Sequence, residues 1–311
     1  MKALAYNLRG FGREGRRTQL RDYMRSNRLD ILGLQETIRQ DFTAAELRSL
    51  ECGGQFAWNW LPANGHSGGL LLGFRDETFE VGEWRKGVFF ISTKILQRNI
   101  NMIWCFMLVY GPADHGRTEE FLGELEQAVA DCQVPLVIAG DFNLIRSAGD
   151  KSTDNIDWPR VRRFNDSIAA MALREINRAG ARYTWTNRQL NPIRCVLDRV
   201  FVSTAWEARF PICSVTAVTR IGSDHNPLLL DNGEATRCPP PRFFFQTWWF
   251  SVHGFGELVS AKLNHFLLDL GPHRDCIDLW QCVARNLRQF LKGWGANLGK
   301  EKRLFKENLL T

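Results

Sequence analysis

Eight polar side chains stand where apolar runs of this chain begin or end. Asn7 follows Ala-Leu-Ala-Tyr, Glu36 follows Ile-Leu-Gly-Leu-Gln, and Tyr110 closes a long apolar run that leads into Gly111-Pro112. Asp141 and Asn143 follow Leu-Val-Ile-Ala-Gly140, Asp198 interrupts Val196-Leu-Asp-Arg-Val-Phe-Val, and Asp224-His225 come just before Pro227-Leu-Leu-Leu. An α/β protein places its chemistry at strand ends. Each position also has a plainer reading: a turn Asn, a solvated strand-tip Glu, a packing Tyr, an Asx turn at Asp141, a loop Asp-His. Together, four carboxylates and two carboxamides make an oxygen-rich donor set that suits Mg2+ or Mn2+, and no C-x-x-C or paired-His spacing points to zinc. A cation so held can polarise a phosphoryl oxygen. A His beside a carboxylate can be fixed in one tautomer and kept cationic near a phosphate.

The elements that must present these residues are short. Strands are expected over residues 3–8, 31–35, 68–74, 88–94, 100–110, 134–139, 183–186, 196–203 and 227–230, from apolar runs bounded by turn residues. A helix is expected over 118–131, where Phe121, Leu122, Leu125, Ala128 and Val129 share one face, with weaker helical patterns over 17–27 and 158–172. After residue 231 the pattern breaks, and Pro239, Pro240 and Pro241 can continue neither a strand nor a helix. A domain boundary is therefore expected between 1–231 and 232–311. The second part carries the aromatic cluster Phe243, Phe244, Phe245, Trp248, Trp249 and Phe250, amphipathic helical patterns near 255–270 and 277–294, and a basic end over 300–306.

With 311 residues and 44% hydrophobic content the chain can bury a sizeable core. A net charge of +6 and a pI near 9.0 tilt the partner toward a polyanion. The eight cysteines are scattered, which reads as free thiols in a reducing, intracellular compartment. The apolar stretches are too short to span a bilayer, so no membrane partner is expected, and no protein partner is predicted either.

The order of these segments resembles the endonuclease/exonuclease/phosphatase superfamily, which includes exonuclease III, the apurinic endonucleases and deoxyribonuclease I. The likeness runs through Asn7, Gln35-Glu36, Ser67-Gly68-Gly69, Tyr110-Gly111, Gly140-Asp141-Phe142-Asn143, Leu197-Asp198-Arg199 and Ser223-Asp224-His225. Within it, Asn7-Leu-Arg9-Gly10, Leu34-Gln-Glu36-Thr37, Tyr183-Thr184-Trp185-Thr186-Asn187 and Leu197-Asp198-Arg199 are similar to the endonuclease domain of plant LINE-type retrotransposons, and the stretch from Pro241 to Trp249 resembles the segment that follows that domain and leads to reverse transcriptase. The resemblance implies an α/β fold of four layers, a DNase I-like α-β-β-α sandwich, followed by a linker and helical appendage. It implies a metal-dependent DNA endonuclease that leaves a 3′-hydroxyl and a 5′-phosphate, with Mg2+ or Mn2+ as cofactor. Glu36 would hold the metal with Asn7 and Asp224 close by. Asp141 would orient or deprotonate water with help from Asn143, His225 paired with Asp198 would polarise the phosphate, and Tyr110 would touch it. Arg9, Thr184, Trp185 and Asn187 would face the substrate. DNA is the expected partner, with retroelement RNA a second one, and the compartment would be nuclear. No polymerase motif accompanies these segments, so the chain reads as a truncated element protein. Other substrates within the superfamily, an abasic site, an RNA tail or a phosphoinositide, stay open, as does a non-catalytic nucleic-acid-binding relic.

Overall fold

A computed structural model describes residues 1–12, 14–51, 54–65, 67–220, 222–233, 245, 247–269 and 276–308. The chain divides into two compact units, Met1–Thr236 and Arg237–Thr311. The proline-rich linker expected around residues 239–241, with Phe243 and Phe244, lies outside the described residues.

The first half of unit one runs β1 (Lys2–Asn7), α1 (Glu14–Asn27), β2 (Ile31–Gln35), α2 (Ala44–Leu50), β3 (Phe56–Asn64), β4 (Ser67–Arg75), β5 (Phe79–Lys86), β6 (Phe90–Gln97), β7 (Met102–Tyr110) and α3 (Thr118–Ala130). It continues with β8 (Leu136–Asp141), α4 (Trp158–Ala170), β9 (Leu173–Glu175), β10 (Arg178–Gly180), β11 (Trp185–Thr186), β12 (Arg194–Cys195), β13 (Asp198–Ser203), α5 (Thr204–Arg209), β14 (Ser214–Ala217) and β15 (Leu228–Asp231). One sheet has the order β10-β14-β15-β1-β2-β4-β3, the other β5-β6-β7-β8-β13-β9, and β11-β12 form a small hairpin.

Strand alternation builds the layers. Ala3 and Ala5 of β1, Trp104, Phe106 and Leu108 of β7, and Val137 and Ala139 of β8 share one buried cluster between the sheets. The intervening residues face outward. Leu4 and Tyr6 pack with Leu20, Met24 and Leu50 of α1 and α2, whereas Met107, Val109 and Ile138 pack with Phe121, Leu125, Phe164 and Ile168 of α3 and α4. Helix, sheet, sheet, helix is the four-layer sandwich the resemblance implied. Each fully buried Leu or Phe contributes about 1.5–3 kcal/mol relative to exposure. Six strands lie outside the expected set: β9, β10, β12 and β14 are too short to show an apolar run, and β3 and β5 carry none of the kind that marks the others. β3 and β5 lie at sheet edges, with most side chains of β3 partly buried and most of β5 exposed, so neither shows an apolar run.

Register brings the site residues to one end. β1 and β2 are parallel with Asn7 opposite Gln35, which places Glu36 beside the tip of β1. β7 and β8 are parallel with Tyr110 opposite Asp141, and antiparallel β13 pairs Asp198 with Asp141. β15 runs antiparallel to β1 with Leu228 opposite Ala5, so the preceding Asp224-His225 loop returns to the same rim.

Gly140 is required for this convergence. Its φ is 147°, and a Cβ there would lie 2.1 Å from the Val109 carbonyl oxygen. Gly140→Ala is expected to lower stability by at least about 2 kcal/mol through backbone strain and overpacking. Denaturant titration of the purified variant checks this, and an unchanged midpoint would contradict it.

In unit two, α6 (Phe255–Asp269) and α7 (Cys276–Asn308) provide the expected helices, the second running well past residue 294. Trp249, Phe255 and Leu291 are buried together, with Trp294 against Phe255 at a centroid distance of 4.7 Å. No helix among the described residues is long and apolar enough to cross a membrane.

Candidate active site

Asp141 is the centre of the site. It ends β8, is only 1% exposed, and its Oδ2 accepts the Asn7 Nδ2 amide at 2.9 Å. The same oxygen lies 3.7 Å from His225 Nε2, and His225 Nδ1 meets Asp198 Oδ2 at 2.9 Å. The other Asp141 oxygen, Oδ1, accepts the Asn143 N–H at 2.9 Å, so the Asx turn uses one oxygen and the Asn7 amide the other. Burial pushes the Asp141 carboxyl up to about 7, against the pull of His225. Burial opposes a charge on His225 as well, but Asp198 and then Asp141 outweigh it and hold the imidazole near 9. A cationic imidazole with Nδ1–H donated to Asp198 therefore presents Nε2–H toward Asp141.

A second group surrounds this centre. Glu36, at φ 51°, turns out of β2 with Arg9 Nε 3.8 Å away, and among the described residues its carboxylate has no hydrogen-bond partner. Asp224 Oδ2 takes Arg9 Nη1 at 2.5 Å and Trp185 Nε1 at 2.9 Å. Ser223 locks the loop, its hydroxyl donating to the Asn7 carbonyl at 2.7 Å and accepting the His225 N–H at 3.1 Å. Arg16 of α1 clamps the same turn, donating to Leu8 O and Gly222 O at 3.0 Å each. All of this frames a pocket of about 460 Å3.

The comparisons with known proteins bear on this arrangement. The sequence profile described as the Endonuclease/Exonuclease/phosphatase family matches residues 4–225. The chain belongs to the endonuclease/exonuclease/phosphatase family. No curated protein matches it by sequence. Among solved structures it is similar to the AP endonuclease LMAP from Leishmania major, at a TM-score of 0.60 and 14% identity, covering 74% of this chain and 86% of that one. It is also similar to an AP endonuclease from Archaeoglobus fulgidus, with TM-score 0.57, 16% identity and coverages of 74% and 98%. The endonuclease domain of TRAS1, a telomere-specific non-LTR retrotransposon, gives TM-score 0.55 and 14% identity over 76% of this chain and 99% of that domain. At these identities the likeness is one of fold.

Within the family fold, the expected residues separate into those at the pocket and those beneath it. Asn7, Arg9, Glu36, Tyr110, Asp141, Asn143, Trp185 and His225 line the cavity. Asn143 also donates its amide to Gly111 O at 2.8 Å, which fixes the turn after β8. Burial, then the charges of Glu36 and Asp141, push the Tyr110 phenol well above its ordinary range, so it stays a donor. Thr184 is not at the surface of the pocket. It is fully buried, and its hydroxyl accepts the Leu197 and Asp198 N–H groups at 2.9 and 3.0 Å, which holds Asp198 in place. Asn187 accepts the Ile193 N–H at 3.0 Å and closes the β11–β12 loop.

Sequence reasoning missed part of the lining. His115, Lys151 and Arg160 also line the pocket, together with Asp157. Burial and the neighbouring Arg160 push His115 below its ordinary value. Arg160 is paired at 3.0 Å with Asp157, which lines the same pocket, and Arg9 is paired with Asp224, so Lys151 is the lining cation without a carboxylate partner among the described residues. None of the three missed residues follows an apolar run, and no periodicity marks them.

A divalent cation fits this donor set. The ligand atoms of Asp141, Asp198 and His225 lie within 4.8 Å of one another, but Asp198 and His225 are already hydrogen-bonded to each other. Asp224 is engaged by Arg9 and Trp185. The Glu36 carboxylate lines the pocket with no hydrogen-bond donor among the described residues, and each Asp141 oxygen accepts one hydrogen bond and keeps a further lone pair; with the Asn7 side chain at hand, hard oxygen donors of this kind suit Mg2+ or Mn2+.

Proposed function

We propose that this protein is a divalent-metal-dependent phosphodiesterase that nicks DNA and leaves a 3′-hydroxyl and a 5′-phosphate. The observation that carries the reading is the Asp141 carboxylate held between the Asn7 amide and the His225–Asp198 pair at a pocket that Lys151 and the ion-paired Arg9 and Arg160 also line. Asp141, titrating near 7, is poised to orient and deprotonate a water molecule. Asn7 and Asn143 fix the carboxylate so that it does not swing onto His225. The His225 imidazolium, oriented by Asp198, neutralises charge growing on the phosphate, and Tyr110 donates its phenol proton to a phosphate or leaving oxygen. Glu36, with Asn7 and Asp141, would hold the cation, which when bound supplies Lewis-acid polarisation of a phosphoryl oxygen. Arg9 and Trp185 would meet the substrate at the rim, with Thr184 and Asn187 shaping the hairpin behind them. Asp224 would act by positioning Arg9 and Trp185 beside the cation.

Within the family we favour a retroelement endonuclease acting in the nucleus, where the 3′-hydroxyl primes copying of the element's RNA. The Tyr183-Thr184-Trp185-Thr186-Asn187 segment and the fold likeness to a retrotransposon endonuclease domain support this. Residues 1–231 would then be the catalytic domain, and 232–311 a segment leading toward a reverse transcriptase. A substrate panel tests the assignment: supercoiled plasmid, duplex with one abasic site, polyadenylated RNA and a phosphoinositide, each with Mg2+. Plasmid nicking at rates at least comparable to abasic-site cutting is expected. A strong preference for the abasic duplex would make repair the function, and turnover of only RNA or lipid would remove DNA as the substrate.

A further inference from the structure

Across the β11–β12 hairpin lies a second groove of about 810 Å3, and Trp185 lines both it and the catalytic pocket. Arg182, Arg188, Arg194 and Arg220 line this groove, all four exposed, and no carboxylate among the described residues does. Among the described residues none of the four is ion-paired with a carboxylate, whereas Arg163 and Arg199 of the same unit each have two such partners. Clustered cations without counter-charges repel one another and favour an anionic ligand. Arg188 donates to Ser223 O, and Arg220 donates to Asp224 O at 3.4 Å, so the cluster borders the loop that carries His225. Arg182 lies over the Tyr183 ring, 5.2 Å from its centroid.

The opposite side of the pocket differs. There a groove of about 330 Å3 shares Tyr110 and Ala113 with the catalytic pocket, but its lining cation, Arg117, is paired with Glu120 at 2.7 Å. The two flanks are unequal in charge. We infer that the substrate is a polynucleotide whose backbone leaves the catalytic pocket through the arginine groove, and that this flank supplies most of the electrostatic affinity. The inference rests on the nuclease reading of the central site. A phosphate ester that ends inside the pocket has no use for four guanidiniums beyond Trp185, whereas successive backbone phosphates match their planar forks.

The test is the salt dependence of binding of the full chain to a duplex oligonucleotide in EDTA, read by fluorescence anisotropy. Arg182→Ala/Arg194→Ala is compared with Arg85→Ala/Arg98→Ala, an arginine of β5 and one just past β6, which are paired with Asp131 and Glu80. The slope of log affinity against log salt should fall by about two in the groove variant, roughly one for each backbone phosphate that is no longer neutralised, and stay at the parental value in the charge-matched control. An unchanged slope in the groove variant, or an equal loss in both variants, would overturn the inference. Binding in EDTA does not depend on turnover, so a chain that shows this slope change yet never cuts would refute the catalytic reading and leave the groove assignment standing.

Discussion

Asp141→Asn should reduce plasmid nicking by roughly two to four orders of magnitude, the usual cost of removing a general base, while the folded protein survives. The substitution keeps shape and an acceptor for one of its two partners, Asn7 or Asn143, at the cost of about one net hydrogen bond, ~1 kcal/mol. It also removes a carboxylate whose charge is opposed by burial. The sign of the resulting pH effect is definite. Because the folded-state value is raised from 3.8 to about 7, the stability linked to Asp141 is fully present below about 3.8 and is lost as pH rises through 7. Parent and variant melting temperatures, measured without metal, should therefore move in the variant's favour between pH 4 and pH 8. A difference that stays constant across that range would mean the Asp141 carboxyl is not held in a desolvated state.

The second large effect is at His225. Its position in a turn just outside an apolar strand suggests a side chain free of the core, whose loss would leave the fold untouched. Instead it is 4% exposed and sits between two buried carboxylates. His225→Ala leaves Asp198 and Asp141 facing each other without a cation, and breaking a buried pair in this way costs roughly 3–5 kcal/mol. Nicking should fall by roughly two to four orders of magnitude as well, even at saturating metal. The parental protein's own pH response follows from the same pair. His225 is raised from 6.5 to about 9, so its contribution is complete below 6.5 and lost as pH climbs through 9. Calorimetric scans of parent and variant at pH 6 and pH 9.5 should converge at the higher pH. A His225→Ala protein that melts like the parent at pH 6 would show that the imidazole is not the charge partner of the two aspartates.

The fold and the centre of the site were legible for one reason. Buried strands of this sandwich are apolar on both faces, so a polar residue at a strand end, such as Asn7, Glu36, Asp141 or Asp198, stands out against the run before it. Parallel and antiparallel register then collects those ends on one rim. The same logic fails where no apolar run exists. Edge strands β3 and β5 give no such pattern, and the lining residues His115, Lys151 and Arg160 come from loops and a helix start. Thr184 and Asn187 lie just before and just beyond a two-residue ladder too short to show alternation. Their motif is recognisable, but which of its side chains face the pocket is not, and only Trp185 does. Asp224 is readable as part of the site, whereas its commitment to Arg9 and Trp185 depends on side chains 215 and 39 residues away.

The most direct test of the account is metal-dependent nicking of supercoiled plasmid by purified protein stripped with EDTA, with the ends of each nick assayed by direct extension with a DNA polymerase. The account predicts no cutting in EDTA, recovery with Mg2+ or Mn2+, and nicks that prime extension without phosphatase treatment. Undiminished nicking in EDTA, or 3′-phosphate ends that need a phosphatase before they prime, would contradict it.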